Sequence, residues 1–288
     1  MFAMNKILLL LLTPLFLFSL TACEEEDQTS IGTPAEEDLQ PIQDNTKAEQ
    51  GVMNSTNYMN PYGLDEDLSG KKAFSSNPVY SISGPDSTVV TIDFSGVENM
   101  DGEIIITYSS NPTHEFDRIS AEAELVDYKQ GTVVYNGTLL FEMADSELIT
   151  MSTSTPDGEE LTIQDGNSTS TWSGERIMTW TEGSDTIDEM DDIYEVVGSS
   201  EGLTSNQTSY TSEILTALVF SPSCDYIMFG EQQLKNYVEE DLETTLTLNY
   251  NVDANEETLT EPDCNPYFNL NFVSQNLDVN MFLNVDDL

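Results

Sequence analysis

Val89-Val90-Thr91-Ile92-Asp93-Phe94 and, after a turn through Asn99-Met100-Asp101-Gly102, Glu103-Ile104-Ile105-Ile106-Thr107-Tyr108 are the runs whose reading decides the fold. In the first, Val90, Ile92 and Phe94 fall on one side of an extended chain, and Thr91 and Asp93 on the other. In the second, Ile104, Ile106 and Tyr108 share a face. A spacing of two marks a half-buried strand, and two such runs around an Asp-Gly turn read as a β-hairpin.

The pattern continues outward. Ala121, Ala123 and Leu125 alternate with Glu122 and Glu124, and the parity then slips at Val126 and Tyr128, as a β-bulge would make it. Asn136-Gly137 has the composition of a type I′ hairpin turn between Thr132–Tyr135 and Thr138–Phe141. Asp157-Gly158 and Asp165-Gly166 repeat that device. Arg176, Met178 and Trp180 share a parity, Ile193–Val197 is strand-like, and Tyr210–Phe220 is long enough for a central strand. Leu242, Thr244, Leu246, Leu248 and Tyr250 alternate, and Phe268, Leu270 and Phe272 read as a closing strand. Helical periodicity is nearly absent. The best candidate, Gly230–Glu240, has apolar residues only at Leu234, Tyr237 and Val238 and fits a turn or strand end equally well. Residues 76–288 therefore read as a single all-β domain of antiparallel sheets built from successive long hairpins, sandwich-like or a strongly twisted meander.

Upstream the composition changes. Residues 23–75 are dominated by Glu, Asp, Gln, Thr, Ser and Asn, are interrupted by Pro34, Pro41 and Pro61, and carry isolated apolar residues such as Ile31, Leu39 and Ile42. They read as an acidic, flexible tether, with Tyr58–Leu64 apolar enough to dock on the domain. Residues 1–22 read as a signal peptide: Lys6 precedes an apolar run that is broken by Pro14 and is short for a bilayer.

Leu20-Thr21-Ala22-Cys23 resembles the lipobox of bacterial lipoproteins. The resemblance implies that Cys23 is lipidated, with palmitate among the usual acyl groups, and several acyl chains make a stable anchor without a spanning helix. Glu24-Glu25-Glu26-Asp27 resembles the surface-export signal of Bacteroidetes lipoproteins. Val90–Phe94, Asp101–Tyr108, Arg176–Trp180, Asp192–Gly198 and Cys224–Met228 together resemble a group of uncharacterised Flavobacteria/Bacteroidetes lipoproteins with long β-hairpins. What the resemblance implies is a protein of the outer membrane, lipid-anchored and exposed at the cell surface, whose motifs are structural. Relatives often carry a cysteine before the Asp-Gly turn. Here that loop reads Ser95–Met100, so a second disulfide of that kind is absent.

With Cys23 taken by lipid, Cys224 and Cys264 remain as an even pair in an oxidising compartment and are expected to be bridged. The closed loop of roughly 40 residues would contribute about 3–4 kcal/mol through the chain entropy of the unfolded state.

Eight Lys and Arg against 53 Asp and Glu give a net charge of -45. A field of that size opposes nucleic acid and anionic lipid at every approach and favours cations. Catalysis finds little support. His114, the sole histidine, lies in the loop-like Asn111–Glu115, too exposed in character for a triad base. Paired carboxylates suited to glycoside hydrolysis arise by chance among 53 acids.

Asp185, Asp188, Asp191 and Asp192, with Glu189 among them, make an oxygen-rich loop of the kind that holds calcium, without the glycine and spaced glutamate of an EF-hand. A solvated acidic loop is the plainer reading. Asp86-Ser87-Thr88 and Asp185-Thr186-Ile187 resemble an O-glycosylation motif of exported Bacteroidetes proteins, which would place sugar on Ser87 and Thr186. Trp172, Trp180, Tyr194 and Tyr210 would stack sugars if they shared an exposed face, and otherwise serve as core or cross-strand pairs. The expectation is a lipid-anchored cell-surface structural or binding module without catalytic activity of its own, its partner a glycan or another surface protein. The alternatives are a glycan- or nutrient-binding accessory lipoprotein and a carboxylate-dependent hydrolase.

Overall fold

A computed structural model of the chain describes residues 34–59, 78–83, 89–109, 118–145, 149–184, 189–221, 223–224, 226–239 and 241–285. Among the described residues, helix α1 (Gln40–Met59), entered through a 3-10 turn at Glu36–Leu39, precedes fourteen strands. These are β1 (Val79–Ser83), β2 (Val89–Asp93), β3 (Met100–Tyr108), β4 (Arg118–Gln130), β5 (Val133–Asp145), β6 (Ile149–Ser154) and β7 (Leu161–Asp165). They continue with β8 (Ser168–Glu182), β9 (Ile193–Leu203), β10 (Ser209–Phe220), β11 (Phe229–Val238), β12 (Asp241–Asn249), β13 (Tyr267–Ser274) and β14 (Asp278–Asn284).

The strands form one antiparallel sheet in which sequence neighbours are almost always spatial neighbours. It is an open meander and not a barrel. The hairpin of β2 and β3 pairs Ile92 with Ile104 and Val90 with Ile106, and all four side chains are buried, as the alternation requires. The expected bulge lies in β4, where the register shifts between Leu125 and Tyr128 and Asp127 takes φ 47°. Asp165-Gly166 turns β7 into β8, with Asp165 opposite Ser168. Of the Gly230–Glu240 stretch, Gly230–Val238 lies in strand β11, whose even-numbered residues from Gly230 to Asn236 face the core, and Glu240 lies outside the described residues.

Three expectations are corrected. Asn136-Gly137 is not a hairpin turn but lies inside β5, because Gln130 already pairs with Val133 and the chain reverses at Gly131. Asn136 instead caps the bulge: its Oδ1 accepts from the Asp127 N–H at 2.8 Å and its Nδ2 donates to Asp127 Oδ1 at 3.2 Å. Gly137, at φ 135°, is where β5 changes partner, and a Cβ there would lie 2.9 Å from Leu161 Cδ2. Before it, Val133–Asn136 pairs with β7; beyond it, Leu140–Asp145 pairs with β6. Strands β6 and β7 thus occupy one position between β5 and β8, separated by an excursion through Thr155–Glu160.

Residues 40–59, inside the expected tether, form α1 instead, with Ile42, Ala48, Val52 and Met59 buried. The helix carries few apolar residues, and tertiary contacts rather than its own pattern hold it. Nor does Phe268–Phe272 close the sheet: β14 pairs along β13 from Val273 opposite Asp278 to Tyr267 opposite Asn284.

One connected apolar core joins α1 to residues from β2 through β13. Tyr58, Phe94, Tyr128 and Tyr135 form a chain of rings with centroids 5.0–5.9 Å apart. Burial pushes the Tyr108, Tyr128, Tyr135, Tyr210 and Tyr250 phenols well above their ordinary pKa. Cys224 and Cys264 are bonded, with Cα atoms 5.7 Å apart, and join the β10–β11 and β12–β13 connections.

Candidate functional site

The inner face of the sheet is locked to α1 by polar groups. Arg176 lies on the core side of β8 and is 1% exposed. Its Nε donates to Glu49 Oε2 of the helix at 2.8 Å, and its Nη2 to Glu49 Oε1 and, at 2.9 Å, to Ser200 Oγ. Its Nη1 donates to the Glu175 carbonyl at 2.9 Å, so all three guanidinium nitrogens are engaged. Trp172 adds an indole N–H to Glu49 Oε1 at 3.3 Å and offers its ring to the guanidinium 5.7 Å away. Along the helix, Asp44 Oδ2 accepts from the N–H and hydroxyl of Ser205 at 2.7 and 3.0 Å. Lys47 pairs with Asp165 at 2.8 Å, and the Thr56 and Thr153 hydroxyls meet at 2.8 Å. The hydroxyls of Tyr135 and Tyr108 donate to the carbonyls of Lys47 and Met59. These side chains satisfy one another, which makes this network a clamp on the helix.

The outer face of the same strands carries a groove of about 1130 Å³. Its floor is two rows running across β8, β9, β10 and β11. In one row Glu175 lies opposite Ser199, Ser199 opposite Glu213, and Glu213 opposite Gln233. In the next, Ser173 lies opposite Glu201, Glu201 opposite Thr211, and Thr211 opposite Lys235. Adjacent strands bring such partners about 5 Å apart. One wall is the excursion between β6 and β7, with Thr155, Asp157, Glu159 and Glu160, pinned to β8 by the Thr155 N–H bond to the Gly174 carbonyl at 3.1 Å. The Gly174 N–H returns a bond to Thr155 Oγ1 at 3.2 Å. Among the described residues the lining holds hydroxyls, carboxylates, one amide and one ammonium, and no aromatic ring. Such a surface can donate and accept hydrogen bonds over a wide area and favours positive charge.

The residues singled out from the sequence distribute as follows. Cys23, Ser87, His114, Asp185, Thr186 and Asp188 lie outside the described residues. Asp191 is exposed, whereas Asp192 is buried and its Oδ2 accepts from the Tyr194 hydroxyl at 3.0 Å. Among the described residues, no three His, Cys, Asp or Glu side chains are grouped to hold a metal ion. The aromatic residues all serve the core: Trp172 and Tyr210 are fully buried, and Tyr194, buried as well, lies between the partly buried Trp180 and Phe220 with centroids 5.5 and 5.3 Å apart. Among the described carboxylates, Asp93, Asp165 and Asp253 are held below the usual range. The causes are hydrogen bonds from Ser95 for Asp93, from Lys47 and then Thr132 for Asp165, and from Glu257 and Asn255 for Asp253. That direction is opposite to what a general acid needs.

Sequence reasoning missed both faces. Arg176 on the parity of Met178 and Trp180 was the one readable sign of the clamp, since a charge on an apolar face requires a partner. The groove left no local sign, because its polar residues come from separate strands. Among the described residues no helix is long and apolar enough to cross a membrane. Comparison with protein-family models, with curated proteins and with solved structures finds no match to this chain.

Proposed function

We propose that the chain is a lipid-anchored cell-surface module that binds a polar ligand in the groove over β8–β11 and performs no chemistry on it. The groove itself carries this reading: a concave, hydroxyl- and carboxylate-lined surface held on a clamped sheet, with its residues on strands rather than on loops. Its charge suits neutral, hydroxyl-rich or cationic ligands and repels anionic ones. The anchor rests on the lipobox-like Leu20-Thr21-Ala22-Cys23 and outward placement on the acidic run after it.

The test uses the full chain in detergent or vesicles, presented with a panel of neutral oligosaccharides and of cationic peptides. Binding of at least one panel member should fall about ten-fold or more when Glu175, Glu201 and Glu213 become Gln, with the melting transition retained. A panel that binds nothing, or binding indifferent to the three substitutions, overturns the groove. Cys23→Ala should release the protein from the membrane fraction, and persistent attachment overturns the anchor.

A further inference from the structure

Both ends of the sheet are edges: among the described residues β1 pairs only with β2, and β14 only with β13. An edge presents backbone N–H and C=O groups to any extended chain, and proteins ordinarily blunt it with proline, lysine, a bulge or a very short strand. Strand β14 has none of these. Asp278–Asn284 contains no proline or basic residue, and it pairs along β13 without a register shift.

Its core side is unfinished as well. Phe268, Leu270 and Phe272 of β13 are fully buried, while Val279, Met281 and Leu283 of β14 are only partly so. One further strand would complete their cover.

Charge decides what that strand is. From Asn236 onward the sequence holds no Lys or Arg, while acids recur throughout, with Asp278 at the start of β14 and Asp286-Asp287 just after it. The stretch before β1, by contrast, carries Lys71-Lys72. A second copy of the chain would bring two charges of -45 together. A Lys- or Arg-bearing strand would be drawn in by the same field. We propose that β14 is an acceptor edge for an extended, basic segment of a partner protein, which adds to the sheet as its next strand.

The probe is a capped octapeptide of alternating Lys and Val, compared with the same peptide carrying N-methyl groups at alternate backbone nitrogens. The two have equal charge, but only the first can pair along an edge. At about 0.15 M salt, where exposed charges are screened beyond roughly 8 Å, the unmethylated peptide should bind the full chain about ten-fold tighter. That ratio should fall to about one in Asn280→Pro or Met281→Pro, whichever removes the outward N–H, and should persist in Ser81→Pro at the opposite edge. Equal binding of the two peptides to the unaltered chain, or no binding of either, overturns the proposal even if the proline variants do not fold. So does a ratio that survives both β14 substitutions or is lost with Ser81→Pro.

Discussion

Glu175 and Arg176 are consecutive residues of β8 and live in opposite worlds. Arg176 faces inward, where Glu49, Ser200 and the Glu175 carbonyl take its donors. The Glu175 side chain faces outward, where Ser152 gives it a single hydroxyl at 3.1 Å and the groove's other carboxylates are near. Inside, a charge exists only because it is matched, since desolvation would otherwise expel it. Outside, carboxylates gather with one ammonium among them, and water and counterions make that tolerable. The same sheet therefore uses charge as a fastener on one face and leaves it available on the other.

The sharpest way to break this contrast is Glu49→Ala. It strands the Arg176 guanidinium in the core and should cost about 3–5 kcal/mol by urea denaturation, whereas Glu49→Leu with Arg176→Met should recover most of that loss. A single-variant loss below about 1 kcal/mol would mean that the ion pair does not hold the inner face. Gly51→Ala is next. Its Cβ would enter the space of the buried Tyr135 ring, so helix propensity, which favours alanine, should be outweighed by about 1–3 kcal/mol of overpacking.

The outer face should answer with the opposite sign. Changing Glu175, Glu201 and Glu213 to Gln should raise the melting temperature slightly at low salt, each by the equivalent of at most about 0.5 kcal/mol. The gain should vanish in about 0.5 M sodium chloride, where the Debye length is only some 4–5 Å. A loss of stability at low salt would show that these carboxylates, too, are fasteners.

The smallest effect belongs to the rim, where Lys47 meets Asp165. The folded pKa of Asp165 is lowered by Lys47 and then Thr132, so its contribution is complete above the unfolded value of about 3.9 and is lost as pH falls through the folded one. The stability difference between the unaltered chain and Asp165→Asn should thus be constant above about pH 5 and close to zero in strong acid. A difference that persists there would rule out this linkage.

Much of the sheet was legible because alternation is a local signal: Val90, Ile92 and Phe94 needed no knowledge of their partners to be placed on one face. The Cys224–Cys264 bridge was legible by parity. The helix was not, since its buried side includes Asp44, Asn45, Ser55 and Thr56. Their partners lie far along the chain, as Ser205 does from Asp44 and Thr153 from Thr56. Asn136-Gly137 misled for a related reason: the residues that favour a tight turn also suit the cap of a bulge and the crossing of two strands. The groove is a product of register, and register is not written in any one strand.

The separation of Glu49 from Arg176 also orders events in time. Among the described residues the ribosome delivers α1 before any strand, yet a nascent chain ending at Glu175 lacks the Arg176 guanidinium that Glu49 accepts from and the Ser205 that holds Asp44. The meander can close hairpin by hairpin as it emerges, because its pairings are local. The helix, weak alone, has to wait. Helix α1 is made before the strands it packs on, and until β8 and the β9–β10 turn exist its Glu49 and Asp44 have no clamp and the inner face of the earlier strands stays open.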